Sequence, residues 1–174
     1  MGKNKSKNKG KQFEERVAKI FRECWHLSKH ECHRALSSGT YQVDYSDIVF
    51  SPETIERPHL IVECKKRKSV PANQLLTFTS EFNNWLEQVE EASEKYFQHF
   101  QVYPVSLIVF AVNNMRPIVI VDQELLSLIP SKPEFNLYLI KHPTSLNFYI
   151  VNNNYIGTWL DLFLNECLQP KYRY

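Results

Sequence analysis

An almost wholly apolar run, Val105–Val112, is the feature that most constrains how this 174-residue chain can fold. A run of this length and composition predicts a strand buried inside a sheet. It follows a long segment, 73–99, whose apolar residues recur at helical spacing. The turn Asn113-Asn114 and a second apolar strand at 118–121 come after it. A buried strand beside a long amphipathic helix favours an α/β domain.

The rest of the chain continues this alternation of helices and strands. Apolar residues recur from Phe13 to Cys24 at helical spacing and predict a helix over about 10–26. Further strands are predicted at 31–37, 48–50, 60–62, about 136–141 and about 146–151, and further helices at about 123–129 and 156–167. We expect the first three strands to form an antiparallel meander, with helix 73–99 bringing in the fourth strand from the other direction or beside the first. The expected fold is an α/β sandwich with a central mixed sheet.

Composition limits the classes of protein to which the chain can belong. A hydrophobic fraction of 43% and a charged fraction of 23% fit one folded domain and exclude a mostly disordered chain. No apolar run reaches the roughly 18–20 residues that span a bilayer, and the first residues lack the apolar stretch of a secretory signal. We interpret the four cysteines, Cys24, Cys32, Cys64 and Cys167, as reduced thiols of an intracellular protein.

Positive charge is concentrated at two places. The first eleven residues contain five lysines and no acid, and a second basic run, Lys65–Lys68, follows an apolar strand. Because the net charge is only +2, the remainder of the chain is acidic. Such local concentration favours contact with a phosphate backbone, although a lysine-rich tail that only keeps the protein soluble is an alternative. Residues 1–9 are predicted to be a disordered basic tail.

The candidate catalytic residues lie between positions 47 and 65. Asp47 precedes the strand 48–50, and Glu63 and Lys65 follow the strand core 60–62. Because side chains alternate along a strand, Glu63 and Lys65 point the same way, and pairing of the two strands would place Asp47 beside Glu63. Two carboxylates at one point attract Mg²⁺, and a neighbouring lysine can position the attacking water. An exposed strand end with an ordinary ion pair accounts for these residues equally well.

A third carboxylate can come from the first helix. Glu14 lies at the border between the apolar stripe and solvent, from where it can reach the end of the sheet, whereas Glu15 points almost directly away. An acid favoured at a helix start by the helix dipole is an equally good explanation of Glu14. Asp44 is a second acid near Asp47, but Asp47 is preferred because it directly precedes the apolar strand.

These residues together resemble the PD-(D/E)xK nuclease superfamily, and within it the archaeal-type and phage Holliday-junction resolvases. The resemblance covers 10–121 and is carried by Gly10 and Glu14 at the helix start, Arg34 with Ser38-Gly39, Asp47-Ile48-Val49, and Glu63-Cys64-Lys65. The chain departs from the pattern in two places. Glu15, rather than an arginine, follows the helix glutamate, which leaves Glu14 and Glu15 both open, and Ser46 stands where the superfamily's name has proline.

The resemblance implies a restriction-endonuclease-like three-layer sandwich, with a nuclease core at 10–121 and a C-terminal α/β extension at 122–174 packed on the same domain. It implies a DNA endonuclease that uses Mg²⁺, with Mn²⁺ as a substitute and no small-molecule cofactor. Carried over by position, the catalytic residues are Glu14, Asp47, Glu63 and Lys65, of which the first three bind metal. The DNA-binding residues are Arg34, Ser38, Lys66, Arg67 and Lys68.

The same resemblance implies the partners and the setting. The expected substrate is a four-way DNA junction, cut by a homodimer in DNA recombination or repair. The expected location is the cytoplasm of a prokaryote or a phage-infected cell, in association with the nucleoid. A restriction- or repair-type nuclease on linear duplex and a non-catalytic nucleic-acid-binding module are the alternatives. Zinc binding is not favoured, because the spacing of Cys24, His26, His30, Cys32 and His33 matches no zinc pattern.

Overall fold

The computed structural model describes residues 3–35, 45–51, 56, 58–69, 80–113, 115–128, 137–139, 149–150 and 155–171. Its helices are α1 (Lys3–Trp25), α2 (Ser80–Phe100), α3 (Gln123–Leu128) and α4 (Leu160–Glu166). Its strands are β1 (Cys32–Arg34), β2 (Ile48–Phe50), β3 (Leu60–Arg67), β4 (Val105–Val112), β5 (Ile118–Asp122), β6 (Leu137–Leu139), β7 (Tyr149–Ile150), β8 (Tyr155–Trp159) and β9 (Leu168–Pro170).

A five-stranded sheet in the order β3-β4-β5-β8-β7 forms the centre of the described structure. Strands β3 and β4 are parallel, with Leu60 opposite Val105 and Arg67 opposite Val112, and the other neighbours are antiparallel. Parallel neighbours need a crossover connection, and α2 lies in the chain between β3 and β4. Two smaller antiparallel pairs, β1 with β2 and β6 with β9, lie outside this sheet.

Helices cover both faces of the sheet. One buried cluster packs side chains of α1 and α4 against one face, including Phe21, Phe163, Val62, Leu107 and Val109. A second cluster packs α2 against the other face through Phe82, Trp85, Val89, Ile108 and Phe110. Alternate residues of β4 therefore pack into the two layers, which explains why this strand is almost wholly apolar. The prediction of a three-layer α/β sandwich with a mixed central sheet is confirmed.

The first helix begins earlier than the sequence predicts. Helix α1 starts at Lys3 rather than near residue 10, so the prediction of a disordered tail at 1–9 is wrong for residues 3–9. Helix formation is unfavourable mainly at its first turn. Once the packed part of a helix has formed, each residue added at its end gains one backbone hydrogen bond and needs no second nucleation step. Lysine is also a good helix former, which favours continuation of the helix through this lysine-rich segment.

The strand pairing differs from the expected meander. The β1–β2 pair is antiparallel as predicted, but β2 and β3 form no ladder in the described residues, and β4 lies beside β3 rather than beside the first strand. Strand β3 also runs to Arg67, well beyond the apolar core at 60–62, because β4 pairs with it along its whole length. Hydrogen bonding to a long neighbour thus extends β3 through a charged segment.

The C-terminal segment also differs in detail. Residues 155–159 form β8 where a helix was predicted over 156–167, and α4 is confined to Leu160–Glu166. Strand β8 pairs with β5 along its whole length and with β7 at Ile156 and Gly157, which places it inside the central sheet. Of the strands predicted at 136–141 and 146–151, only 137–139 and 149–150 lie within the described residues, and both are strands.

The last elements of the chain hold α1 in place. Leu160, Phe163 and Leu164 of α4 are fully buried in the cluster that contains the apolar face of α1. The indole Nε1 of Trp25 donates to the carbonyl oxygen of Leu168 at 3.1 Å. The C-terminal segment is therefore part of the packing that fixes the first helix. Across the part of the chain that the structure describes, no helix has both the length and the apolar character needed to cross a bilayer.

We expect Trp25→Ala to lower the free energy of unfolding by about 3–5 kcal/mol, because it leaves a large cavity beside Phe21 and Phe50. Urea denaturation followed by circular dichroism measures this loss. Met115→Ala, at a side chain that is 37% exposed, serves as the control and should cost less than about 1 kcal/mol. Equal losses in the two variants would contradict the packing of α1 described above.

Candidate active site

Asp47 lies directly before β2 and is held from both sides by its backbone. Its N–H donates to the carbonyl oxygen of Val62 at 2.9 Å, and its own carbonyl accepts the N–H of Ala35 at 2.8 Å. The carboxylate oxygen Oδ2 accepts the N–H of Cys64 at 2.8 Å. Because Cys64 directly follows Glu63, the carboxylate of Asp47 lies against the peptide group that joins these two residues. The structure therefore brings Asp47 to Glu63, as the sequence predicts.

Glu63 and Lys65 form an ion pair on one side of β3. The Lys65 ammonium nitrogen Nζ lies 2.5 Å from Glu63 Oε1, and the two side chains are only 15% and 22% exposed, respectively. Lys65 also donates to the side-chain oxygen Oε1 of Gln88 on α2. Gln88 was not predicted from the sequence, because a polar residue on the outer side of an amphipathic helix is ordinarily solvated. Lys65 is thus held in place by two acceptors from two elements.

Helix α1 carries Glu14, whose carboxylate lies near those of Asp47 and Glu63. Its carboxylate oxygen Oε2 lies 3.9 Å from Nη1 of Arg34 at the end of β1, and both side chains are mostly buried. Burial raises the pKa of Glu14, the positive charges of Arg34 and Lys11 oppose this, and the negative charge of Glu63 adds to it. Glu15 pairs instead with Arg22 at 2.8 Å. The geometry therefore directs Glu14, rather than Glu15, towards the other carboxylates.

The electrostatics of Asp47 show how closely the acids are grouped. Its pKa is raised to about 7, mainly by burial and next by the negative charge of Glu63, with a smaller contribution from Glu14. The N–H of Cys64 and the charge of Lys65 act in the opposite direction. Burial and the same three carboxylates also raise the pKa of the Cys64 thiol far above its ordinary value. Although Lys65 pairs with Glu63 and Arg34 with Glu14, repulsion from these two carboxylates still contributes to the raised pKa of Asp47.

This arrangement fits a hard divalent cation. Carboxylate oxygens are the ligands that Mg²⁺ takes, and it commonly uses only one or two of them with waters and phosphate oxygens. Among the residues that the structure describes, no group of three or more His, Cys, Asp or Glu side chains is already arranged to hold a metal ion. In this arrangement Glu63 is turned to Lys65 and Glu14 faces Arg34. Asp47 and Glu63 lie on adjoining segments, and Glu63 would have to turn from Lys65 to share a metal ion with Asp47.

The predicted DNA-binding residues of β3 do not form one patch. Lys66 lies over the ring of Phe13 on α1, with Nζ 5.4 Å from the ring centroid. Arg67 turns to α2, where it pairs with Glu81 and its guanidinium lies 5.5 Å from the centroid of Trp85. Lys68 is exposed. Neighbouring residues of a strand leave on opposite faces, so the basic run is divided between the two helical layers.

Two residues singled out in the sequence, Ser38 and Asp44, lie outside the described residues. The cysteines and histidines between 24 and 33 have ordinary contacts. The Cys24 thiol donates to the carbonyl oxygen of Asp161 and the buried Cys32 thiol to that of Ala18, and burial raises their pKa values to about 11 and about 12. His33 Nδ1 lies 3.0 Å from the carbonyl oxygen of Arg34. All four cysteines of the chain are free thiols.

Comparison with known proteins agrees with the motif. A family model described as "Phage putative PDDEXK endonuclease" matches residues 5–167, which include Glu14, Asp47, Glu63 and Lys65. No curated protein matches the sequence. A solved structure that is similar is that of Hjc from Archaeoglobus fulgidus, a Holliday junction resolvase from an archaeal hyperthermophile. The two sequences are 15% identical, the match covers 88% of this chain and 91% of the other, and the TM-score is 0.35. Because the family model spans nearly the whole chain, the protein belongs to the phage PDDEXK endonuclease family.

Proposed function

We propose that this protein is a metal-dependent DNA endonuclease in which Asp47, Glu63 and Lys65 carry the reaction and Glu14 completes the site. One observation supports this above the others. The carboxylate of Asp47 is fixed on the backbone N–H of Cys64, directly between Glu63 and Lys65 in the chain, and Glu63 and Lys65 are paired. An ordinary surface ion pair does not require a second, half-buried carboxylate at the same peptide group.

In this proposal Asp47 and Glu63 hold Mg²⁺, with Mn²⁺ as a substitute, and Glu14 adds a third carboxylate near them. A bound divalent cation neutralises charge on the scissile phosphate and makes a water molecule more acidic. Lys65, oriented by Glu63 and Gln88, donates hydrogen bonds to the attacking water or to the developing negative charge. The water oxygen bonds to phosphorus as one ester bond breaks, which yields a phosphomonoester and an alcohol.

The proposed DNA contacts are basic and polar residues that flank the acidic residues in the chain. Arg34 lies beside Glu14, and Lys68 is exposed directly after the end of β3. Ser38, Lys66 and Arg67 complete the proposed set, and the lysines at the start of the chain add positive charge at α1. Each phosphate contact made by a lysine or arginine releases counterions, so binding to DNA should weaken steeply with added salt.

We further propose that the substrate is branched DNA, in particular the four-way junction, and that two copies act as a homodimer in recombination or repair. Support comes from the motifs shared with Holliday-junction resolvases, since a two-fold dimer matches the symmetry of a junction. Such an enzyme would act at the nucleoid, in the cytoplasm of a prokaryote or a phage-infected cell.

Cleavage of a four-way junction and of a linear duplex with the same sequence tests this proposal. With Mg²⁺ or Mn²⁺ present, we expect the junction to be cut at least about tenfold faster, a difference of about 1.4 kcal/mol in activation free energy. Equal cleavage rates on the junction and the linear duplex would favour a restriction- or repair-type nuclease over a junction-specific one. Binding of both substrates without cleavage under any metal condition would identify a non-catalytic binding module instead.

A further inference from the structure

The two acid-bearing segments are linked by individual hydrogen bonds, several of them made by the Ser46 side chain, rather than by a strand ladder. In the described residues β2 and β3 form no ladder, yet Asp47 before β2 must stay beside Glu63 on β3. The hydroxyl oxygen of Ser46 accepts the N–H of Val62 at 2.8 Å and lies 3.3 Å from the carbonyl oxygen of the same residue. Ser46 thereby satisfies the backbone of β3 at the residue directly before Glu63.

The Ser46 hydroxyl uses all of its hydrogen-bonding capacity here. It accepts two N–H groups, from Val62 and from Ile48 at 3.3 Å, and it donates to Val62. A serine hydroxyl offers one donor and two acceptor positions, so none is left over. The Val62 carbonyl also accepts the N–H of Asp47. Both backbone groups of a fully buried residue are therefore tied to the pair Ser46-Asp47.

We infer that Ser46 is a positioning residue, whose hydroxyl sets the spacing between Asp47 and Glu63 and so sets the affinity of the site for a divalent cation. This inference rests on the proposed function. Ser46 acts through the backbone of Val62 and touches neither metal nor substrate. Groups that hydrogen-bond directly to metal ligands typically change metal affinity by 10- to 100-fold when removed, and for Ser46, which acts through the backbone, we expect the lower end of that range.

The test is calorimetric titration of Mn²⁺ into the full-length protein, with thermal unfolding measured in parallel. We expect Ser46→Ala to weaken Mn²⁺ binding about tenfold, and Ser46→Thr, which keeps the hydroxyl, to restore it to within about twofold of wild type. In Ser46→Ala the Mn²⁺ concentration that gives half-maximal cleavage should rise by a similar factor. The cleavage rate at saturating Mn²⁺ should change less. Ser93→Ala is the matched control, because Ser93 is also half-buried and its hydroxyl bonds to Val89 and Ser106.

We expect both alanine variants to lower the melting temperature, and only Ser46→Ala to lower metal affinity. Unchanged Mn²⁺ affinity in Ser46→Ala would overturn the inference while leaving the nuclease proposal intact. A wild-type protein that binds no Mn²⁺ would overturn both. Should Ser46→Ala fail to fold, the Mn²⁺ affinity of Ser46→Cys is measured instead, because a thiol is larger than a hydroxyl and a weaker hydrogen-bond acceptor. Wild-type affinity in Ser46→Cys would then overturn the positioning role.

Discussion

Asp47→Asn is expected to abolish DNA cleavage and at the same time to stabilise the metal-free protein at pH 8. Asparagine keeps the shape and can still accept the N–H of Cys64, but it removes a negative charge that is buried beside Glu63 and Glu14. A neutral amide is a poor ligand for Mg²⁺ in place of a carboxylate, so we expect the cleavage rate to fall at least about 100-fold. DNA binding, measured by fluorescence anisotropy without metal, should be retained.

Two further variants are compared with Asp47→Asn, one within the proposed site and one away from it. Glu63→Gln should lose cleavage to a similar extent, whereas Glu23→Gln, at an exposed acid of α1 that pairs with Lys19, should cleave at the wild-type rate. Cleavage by Asp47→Asn at a rate within a few-fold of wild type would exclude Asp47 from the reaction. Loss of DNA binding together with cleavage would indicate a folding defect rather than a catalytic one.

The stability of the metal-free protein is expected to fall as the pH rises from about 4 to about 7. The ordinary pKa of the Asp47 carboxyl is 3.8, and in the folded protein it is raised to about 7. The folded state therefore binds more protons than the unfolded state between these values, and the stabilisation by protonated Asp47 is full below the lower pKa and lost through the upper one. The difference between these two pKa values corresponds to roughly 4 kcal/mol in the free energy of unfolding.

Urea unfolding in EDTA at pH 5, 6, 7 and 8 measures this dependence, with Asp47→Asn as the reference for all other groups. We expect the free energy of unfolding of Asp47→Asn to rise relative to that of the wild type as the pH rises. A difference between the two proteins that does not change with pH would contradict the raised pKa of Asp47. Adding Mg²⁺ should restore wild-type stability more at pH 8 than at pH 6, because a carboxylate must be ionised to bind metal. The same addition should leave Asp47→Asn nearly unchanged.

Much of the candidate site was predictable because it depends on short-range geometry. The alternation of side chains on a strand predicts the pairing of Glu63 with Lys65, and the helical phase of α1 directs Glu14 rather than Glu15 towards the sheet. The contact between the Asp47 carboxylate and the N–H of Cys64 was not predictable in this detail. It depends on how far apart β2 and β3 lie, and hydrogen bonds of Ser46 and Asp47 to β3 span that distance.

The errors in the fold arise where pairing partners are distant in the chain. The position of β4 beside β3, and the length of β3, depend on a parallel register that joins residues more than forty positions apart. Residues 155–159 have an apolar pattern that fits a helix or a strand when read locally. They form a strand because they pair with β5 and β7. Gln88 likewise acquires its contact with Lys65 only when α2 packs on the sheet.

The dependence of α1 on α4 and β9 has a consequence for synthesis. The first helix emerges from the ribosome long before Leu160, Phe163 and Leu168, the residues that cover its apolar face and accept the Trp25 hydrogen bond. Until those residues have been translated, α1 lacks part of the packing that fixes it against the sheet. We therefore expect a chain that ends before α4 and β9 to lack the assembled group of Glu14, Asp47 and Glu63 and to cleave no DNA.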